Sequence, residues 1–108
     1  MVNKTYNAVV ERNVVWEGEF ATEPYECGWA REAIIFIRSL RGGSTARCRV
    51  QISADGMRWC DEGSDFDLPR AEGETTWCRV AHFGNWLRVV GNTGDETTTV
   101  LVTLSLKS

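Results

Sequence analysis

Apolar and polar residues alternate without a break near the end of this chain. In "TTTVLVTLSLK", residues 97 to 107, Val100, Val102, Leu104 and Leu106 fall on one side and Leu101, Thr103 and Ser105 on the other. A period of two with β-branched enrichment predicts a strand with one packed face. "TARCRVQIS" repeats the pattern, with Ala46, Cys48, Val50 and Ile52 opposite Thr45, Arg47, Arg49, Gln51 and Ser53. Such alternation predicts antiparallel strands with one face on a core and one in solvent.

"AREAIIFIRSL" carries two periods at once. Trp29, Ala33, Ile37 and Leu40 would line a helix face, whereas Ile34-Ile35-Phe36-Ile37 favours a strand and "RGGS" follows as a turn. We read a strand, a Gly-Gly turn and the Arg47–Ser53 strand as a hairpin. "NAVVERNVVWEGEF" reads as one or two strands broken near Gly18. "TWCRVAHF" and "NWLRVVG" read as a pair around Gly84-Asn85, and "NTGDET" as a turn into the last strand. "DEGSDFDLPRAEGET" reads as a polar loop with Gly and Pro, long for a connection inside a domain. Short strands punctuated by turns predict one all-β domain over residues 1–108, an antiparallel β-sandwich or jelly roll.

In "VQISADGMRW" the strand ends at Ser53, Ala54-Asp55-Gly56 supplies a turn with Gly free to take positive φ, and Met57–Cys60 returns as the next strand. This S-x-D-G-x-x-W hairpin resembles one in small β-sandwich proteins of bacteriophage and bacterial genomes. The matching residues are Val50-Gln51-Ile52-Ser53, Asp55-Gly56, Trp59, Trp86-Leu87-Arg88-Val89 and the final strand, across about residues 33 to 107. Some of those proteins are tail, neck or capsid-decoration components. A similar hairpin occurs in discoidin-type domains, which bind sugars or lipids; their ligand loops have no residue-level match here. The resemblance implies a structural or assembly role as a phage-like particle component. It transfers no binding residue.

Composition narrows the function. The chain has 108 residues, 43% hydrophobic and 25% charged, with a net charge of −3. Nucleic-acid modules show a basic excess or stripe, so no nucleic-acid partner is expected. No run approaches the roughly 20 apolar residues of a membrane span, so no membrane partner is expected either. "MVNKTYNAVVERN" has no apolar signal core, so the expected location is the cytoplasm or a particle. Cys27, Cys48, Cys60 and Cys78 lie 21, 12 and 18 residues apart, with no C-x-x-C pair and no zinc template. Reduced, buried thiols are expected.

Catalytic chemistry finds little to use. His82 is the only histidine and falls in an expected strand. No G-x-S-x-G, H-E-x-x-H or P-loop occurs. Cys48 lies between Arg47 and Arg49, which point to the other face. Asp61, Glu62, Asp65 and Asp67 make an oxygen-rich loop, but "DEGSDFD" matches no EF-hand. We expect no enzymatic activity and no cofactor.

Self-association is the remaining expectation. Ile34, Phe36 and Leu40 share one face of a strand whose other face carries Ala33, Ile35 and Ile37. One sandwich has one core, so two apolar faces imply a second contact, unless residues 7 to 16 cover one of them. Leu101 and Trp86 are also apolar among polar neighbours. Arg47, Arg49 and Arg88 suit pairing with acidic loops, Asp61–Asp67, of a neighbouring copy. The expected partner is therefore the chain itself, and possibly other particle proteins. The alternative is a carbohydrate- or ligand-binding sandwich, with an exposed Trp86 stacking on sugar.

Overall fold

The computed structural model describes residues 5–108, and among them there is no helix. The strands are β1 (Thr5–Ala21), β2 (Tyr25–Glu26), β3 (Glu32–Gly42), β4 (Arg47–Ser53), β5 (Cys60–Asp67), β6 (Thr75–Ala81) and β7 (Trp86–Lys107). All pairings are antiparallel. The molecule is an antiparallel β-sandwich of jelly-roll type.

One strand organises it. The second half of β7 pairs with β3 on one edge and the start of β1 on the other, and β3 pairs in turn with β6. The first half of β7 pairs with β4 on one edge and with β2 and the end of β1 on the other, and β4 pairs with β5. The first sheet is therefore β1-β7-β3-β6 and the second is β1-β7-β4-β5. The β1–β7 ribbon belongs to both. It changes sheets at residues 92–97, where the register against β1 jumps and Gly94 takes a φ of 64°. On the opposing strand the jump falls at Gly18, with a φ of 77°, whose N–H donates to Thr93 Oγ1 at 2.8 Å. The expected break near Gly18 is thus a corner within one long strand, and "NTGDET" is a bulge rather than a reversal.

Between the sheets lie Ile35 and Ile37 from β3, Val50 from β4, Leu87 and Val89 from the first half of β7, and Val100, Val102, Leu104 and Leu106 from its second half, all buried. Trp16 closes this core at the corner. Its ring stacks on Phe20 with centroids 3.9 Å apart and planes 9° apart.

Four connections differ from the sequence reading. β3 and β4 are not a hairpin. They lie in different sheets, and Gly43–Ala46 carries the chain across, with Ser44 N donating to Pro69 O at 2.9 Å. A strand edge finds its partner through backbone groups that side-chain periodicity does not report, so a Gly-Gly turn is the same signal for a hairpin and for an arch. "TWCRVAHF" and "NWLRVVG" are likewise not a pair: β6 pairs with β3, and the chain changes sheets at 82–85. The expected polar loop at 61–75 is in its first half the strand β5, reduced by Gly63 and three aspartates to an almost wholly polar pattern. The return strand of the S-x-D-G hairpin starts at Cys60 rather than Met57. His82 lies just beyond β6, exposed and with a left-handed φ of 55°.

Residues 7 to 16 do not cover the outer face of β3. They run in β1 and widen the sheet by a strand.

The corner generates a prediction. A Cβ on Gly91 would stand 2.7 Å from Phe20 Cζ and 3.2 Å from Arg47 O. Gly91→Ala is expected to destabilise the fold by about 1–3 kcal/mol through overpacking. Phe20→Ala in the same chain should recover part of that loss, because it removes the obstructing ring. Denaturant midpoints for the single and double variants measure the coupling.

Candidate functional site

The sandwich presents two outer faces of opposite chemistry, and the eight candidate residues divide equally between them. Ile34, Phe36, Leu40 and Leu101 lie on the first sheet. Arg47, Arg49, Trp86 and Arg88 lie on the second.

On the first sheet the register builds one largely apolar row across the strands, flanked by mixed rows. Trp77, Phe36, Thr103 and Val9 form the apolar row, from β6 through β3 and β7 to β1. Arg79, Ile34, Ser105 and Asn7 form the row on one side of it, and Thr75, Arg38, Leu101 and Arg12 the row on the other. Ile34, Phe36, Leu40 and Leu101 are half-buried, while Trp77, Val9 and Val15 are exposed by 53%, 45% and 58%. Arg79 holds its guanidinium 5.3 Å from the Trp77 ring, a cation–π contact at the edge of the patch. Among the described residues no element lies over this face.

Trp77, Val9 and Val15 are the members that sequence reasoning missed. Trp77 was legible, since Trp77 and Arg79 alternate with buried Val80 and half-buried Cys78. The two valines were not, because bulges at Val10 and Asn13 break the period of β1.

The second outer face is a charge ladder. Arg47 donates to Asp65 and, at 2.7 Å, to Asp67 on the adjacent β5. Arg49 Nε donates to Asp61 Oδ1 at 3.1 Å, and Gln51 Nε2 donates to the same oxygen at 2.9 Å. Arg88 Nε donates to Gln51 Oε1 at 2.9 Å, and its guanidinium stacks 4.2 Å from the Trp59 ring. The aspartates thus pair with arginines of their own chain and not with those of a neighbour, because β5 brings them beside β4. Exposed pairs of this kind contribute little to stability, and their larger effect is to fix the β4–β5 register. The Gln51 amide, followed by Arg49, holds Asp61 below the ordinary aspartate range.

The S-x-D-G stretch is a self-contained turn. Asp55 Oδ1 accepts from Met57 N and Arg58 N, both at 2.9 Å, and from Ser53 Oγ at 3.0 Å. Ser53 Oγ accepts from Gly56 N at 2.9 Å. Gly56, with a φ of 79°, lies flat on the Trp86 indole, where a Cβ would stand 3.1 Å from the ring. Trp86 is on the outer side, as expected, but half-covered by this turn. The hairpin bounds a cleft of 390 Å3 lined by residues including Ile52, Ser53, Ala54 and Cys60.

The four cysteines are free thiols, but only Cys27 and Cys48 are buried as expected, whereas Cys60 is exposed and Cys78 half-buried. Burial, followed by Glu26, pushes Cys27 up to about 11, and burial, followed by Cys78, pushes Cys48 up to about 12. Both are therefore protonated and poorly nucleophilic near neutral pH.

No protein-family model matches the sequence, and no curated protein matches it. Solved structures do match its fold. The SPBc2 prophage-derived protein YomS aligns with a TM-score of 0.62 at 10% identity, over 100% of this chain and 96% of that one. The PBSX exported protein XepA aligns at 0.57 and 14% identity, over 97% of this chain and 36% of that one. A chain of infectious bursal disease virus, Gt strain, aligns at 0.61 and 5% identity, over 97% of this chain and 32% of that one. The likeness is one of fold.

The turn generates a pH prediction. Backbone N–H groups of Arg58 and Met57, then the Ser53 hydroxyl, hold Asp55 below its ordinary range. A depressed carboxylate contributes stability that is complete above its unfolded pKa and lost as pH falls through the lower folded value. Asp55→Ala is therefore expected to lower the thermal midpoint at pH 7 and to shrink the loss of stability below about pH 4. Thermal melts of both proteins between pH 2 and pH 7 test the difference.

Proposed function

We propose that this protein is a non-catalytic structural module that associates with copies of itself through the outer face of the first sheet, as a component of a phage-like particle. The observation that carries the reading is the uncovered row Trp77–Phe36–Val9, flanked by Ile34 and Leu101. A contiguous apolar surface of this kind marks an interaction site. Its composition is that of an interface centre: aromatic and aliphatic residues in the middle, with Arg12, Arg38 and Arg79 around them. A second copy is the simplest partner that supplies a matching apolar face, and closed symmetric assemblies are the common outcome. Support also comes from the fold shared with a prophage-derived protein of nearly the same length and with a virus chain.

Light scattering coupled to size exclusion tests it. The native protein should elute as a multiple of 12.1 kDa. Phe36→Glu and Trp77→Glu should each weaken assembly by roughly 30-fold, the effect of losing a central anchor of about 2 kcal/mol. Their circular dichroism should be unchanged, because neither side chain contributes to the inner core. A 12.1 kDa species persisting at high protein concentration refutes the proposal.

A further inference from the structure

The second outer face carries a separate feature that self-association does not use. Arg49, Gln51, Arg88 and Asn92 border a cleft of 250 Å3, with Val90 inside it and Glu19 on its β1 side. Val90 is buried although its strand position points outward, paired with Arg49 on β4 and Ala21 on β1. The cleft is therefore lined mainly by polar groups, with buried Val90 at its floor.

Its electrostatics are unbalanced at one end. Arg47, Arg49 and Arg58 each pair with an aspartate. Arg88, half-buried, pairs with no carboxylate among the described residues. Its Nε is held by Gln51 and its plane by Trp59, so its orientation is fixed while its terminal nitrogens keep their donors. Burial, followed by the nearby Arg49, lowers its pKa from the usual guanidinium range. A part-buried cation beside a second cation is relieved by a bound anion, and a pre-oriented guanidinium matches a carboxylate in bidentate geometry. Asn92 and Glu19 supply an amide and a hydrogen-bond acceptor on the other side, which suits hydroxyl groups.

We propose that this cleft binds a small hydroxylated carboxylate of the sugar-acid class, its carboxylate on Arg88 and Arg49 and its hydroxyls toward Asn92 and Glu19. Binding is non-covalent. It needs no second copy of the chain, since every group named lies on one outer sheet face remote from the Phe36–Trp77 row.

D-glucuronate titrated into 15N-labelled protein tests the site, with D-glucose and acetate as controls. The expected result is saturable movement of the Trp59 indole and Arg88 Nε–H resonances with glucuronate. Both controls should bind at least about tenfold more weakly. Arg88→Gln should weaken glucuronate by a similar factor while the rest of the amide spectrum is kept. Arg49→Gln provides the same test should Arg88→Gln fail to fold. No saturable shift in the tens of millimolar overturns the proposal, as does glucose or acetate binding as tightly as glucuronate, or unchanged binding in the arginine variants.

Discussion

Antiparallel pairing along β7 is the constraint on which the rest of the molecule depends. This one strand hydrogen-bonds to β1, β2, β3 and β4, and only β5 and β6 reach it through an intermediary. A strand shared by two sheets must change direction without losing its ladder. The chain does this with paired irregularities, Gly18 on β1 and residues 92–97 on β7, placed opposite each other. Thr93 Oγ1 accepts from Gly18 N and donates to Glu96 O at 2.7 Å, so backbone groups freed by the corner are satisfied within it. Glu96 in turn accepts from Thr45 N at 2.9 Å and from the Ser44 hydroxyl at 3.1 Å. The β3–β4 crossing is thereby fastened to the same corner.

From that corner the division of faces follows. Once β3 and β4 are placed on different halves of β7, their apolar sides turn toward each other and make the core. Their other sides become the two outer surfaces. The outward residues of β3 include Ile34, Phe36 and Arg38, and those of β4 are Arg47, Arg49 and Gln51. The partners reinforce the difference: β6 adds Trp77 beside Phe36, and β5 adds Asp61, Asp65 and Asp67 beside the arginines. One face lacks apolar cover, while the other satisfies most of its charges internally. The free energy available for association therefore lies on the first sheet, since exposed ion pairs already formed gain little from a new partner.

The sequence was most readable where one face is buried and the period is unbroken. Val100, Val102, Leu104, Leu106, Cys48 and Val50 point inward as alternation requires, and Ile34 and Phe36 point outward opposite buried Ile35 and Ile37. The S-x-D-G turn was readable because its chemistry is local: Ser53 and Asp55 close hydrogen bonds only two or three residues away. What periodicity does not encode is which edge meets which. The β3–β4 arch and the β6–β7 crossing both carry the sequence signals of a hairpin for that reason. β5 was hidden differently. Its outward positions are aspartates of low strand propensity, and what holds them in a strand is Arg47 and Arg49, more than ten residues earlier in the chain. The same pairing moved the aspartates from a supposed neighbour's loop to the molecule's own edge.

Arg88 shows how a residue acquires a role from this arrangement. In the linear pattern it is one of ten arginines, alternating with buried Leu87 and Val89. Three acidic side chains on β5 face the sheet, but Arg47 and Arg49 stand nearer on β4 and take them. Gln51 then separates Arg88 from Asp61, accepting from the guanidinium on one side and donating to the carboxylate on the other. A lysine at position 88 would lack the planar surface that lies on Trp59 and the Nε–H that engages Gln51. The arginine is thus oriented by neutral partners and left without a compensating charge, at the border of a cleft. A ladder built only for register would place a carboxylate at the next rung. Here the next rung is the hairpin that carries Trp59, and the aromatic ring supplies weaker stabilisation than a carboxylate while leaving the terminal guanidinium nitrogens with donors to spare.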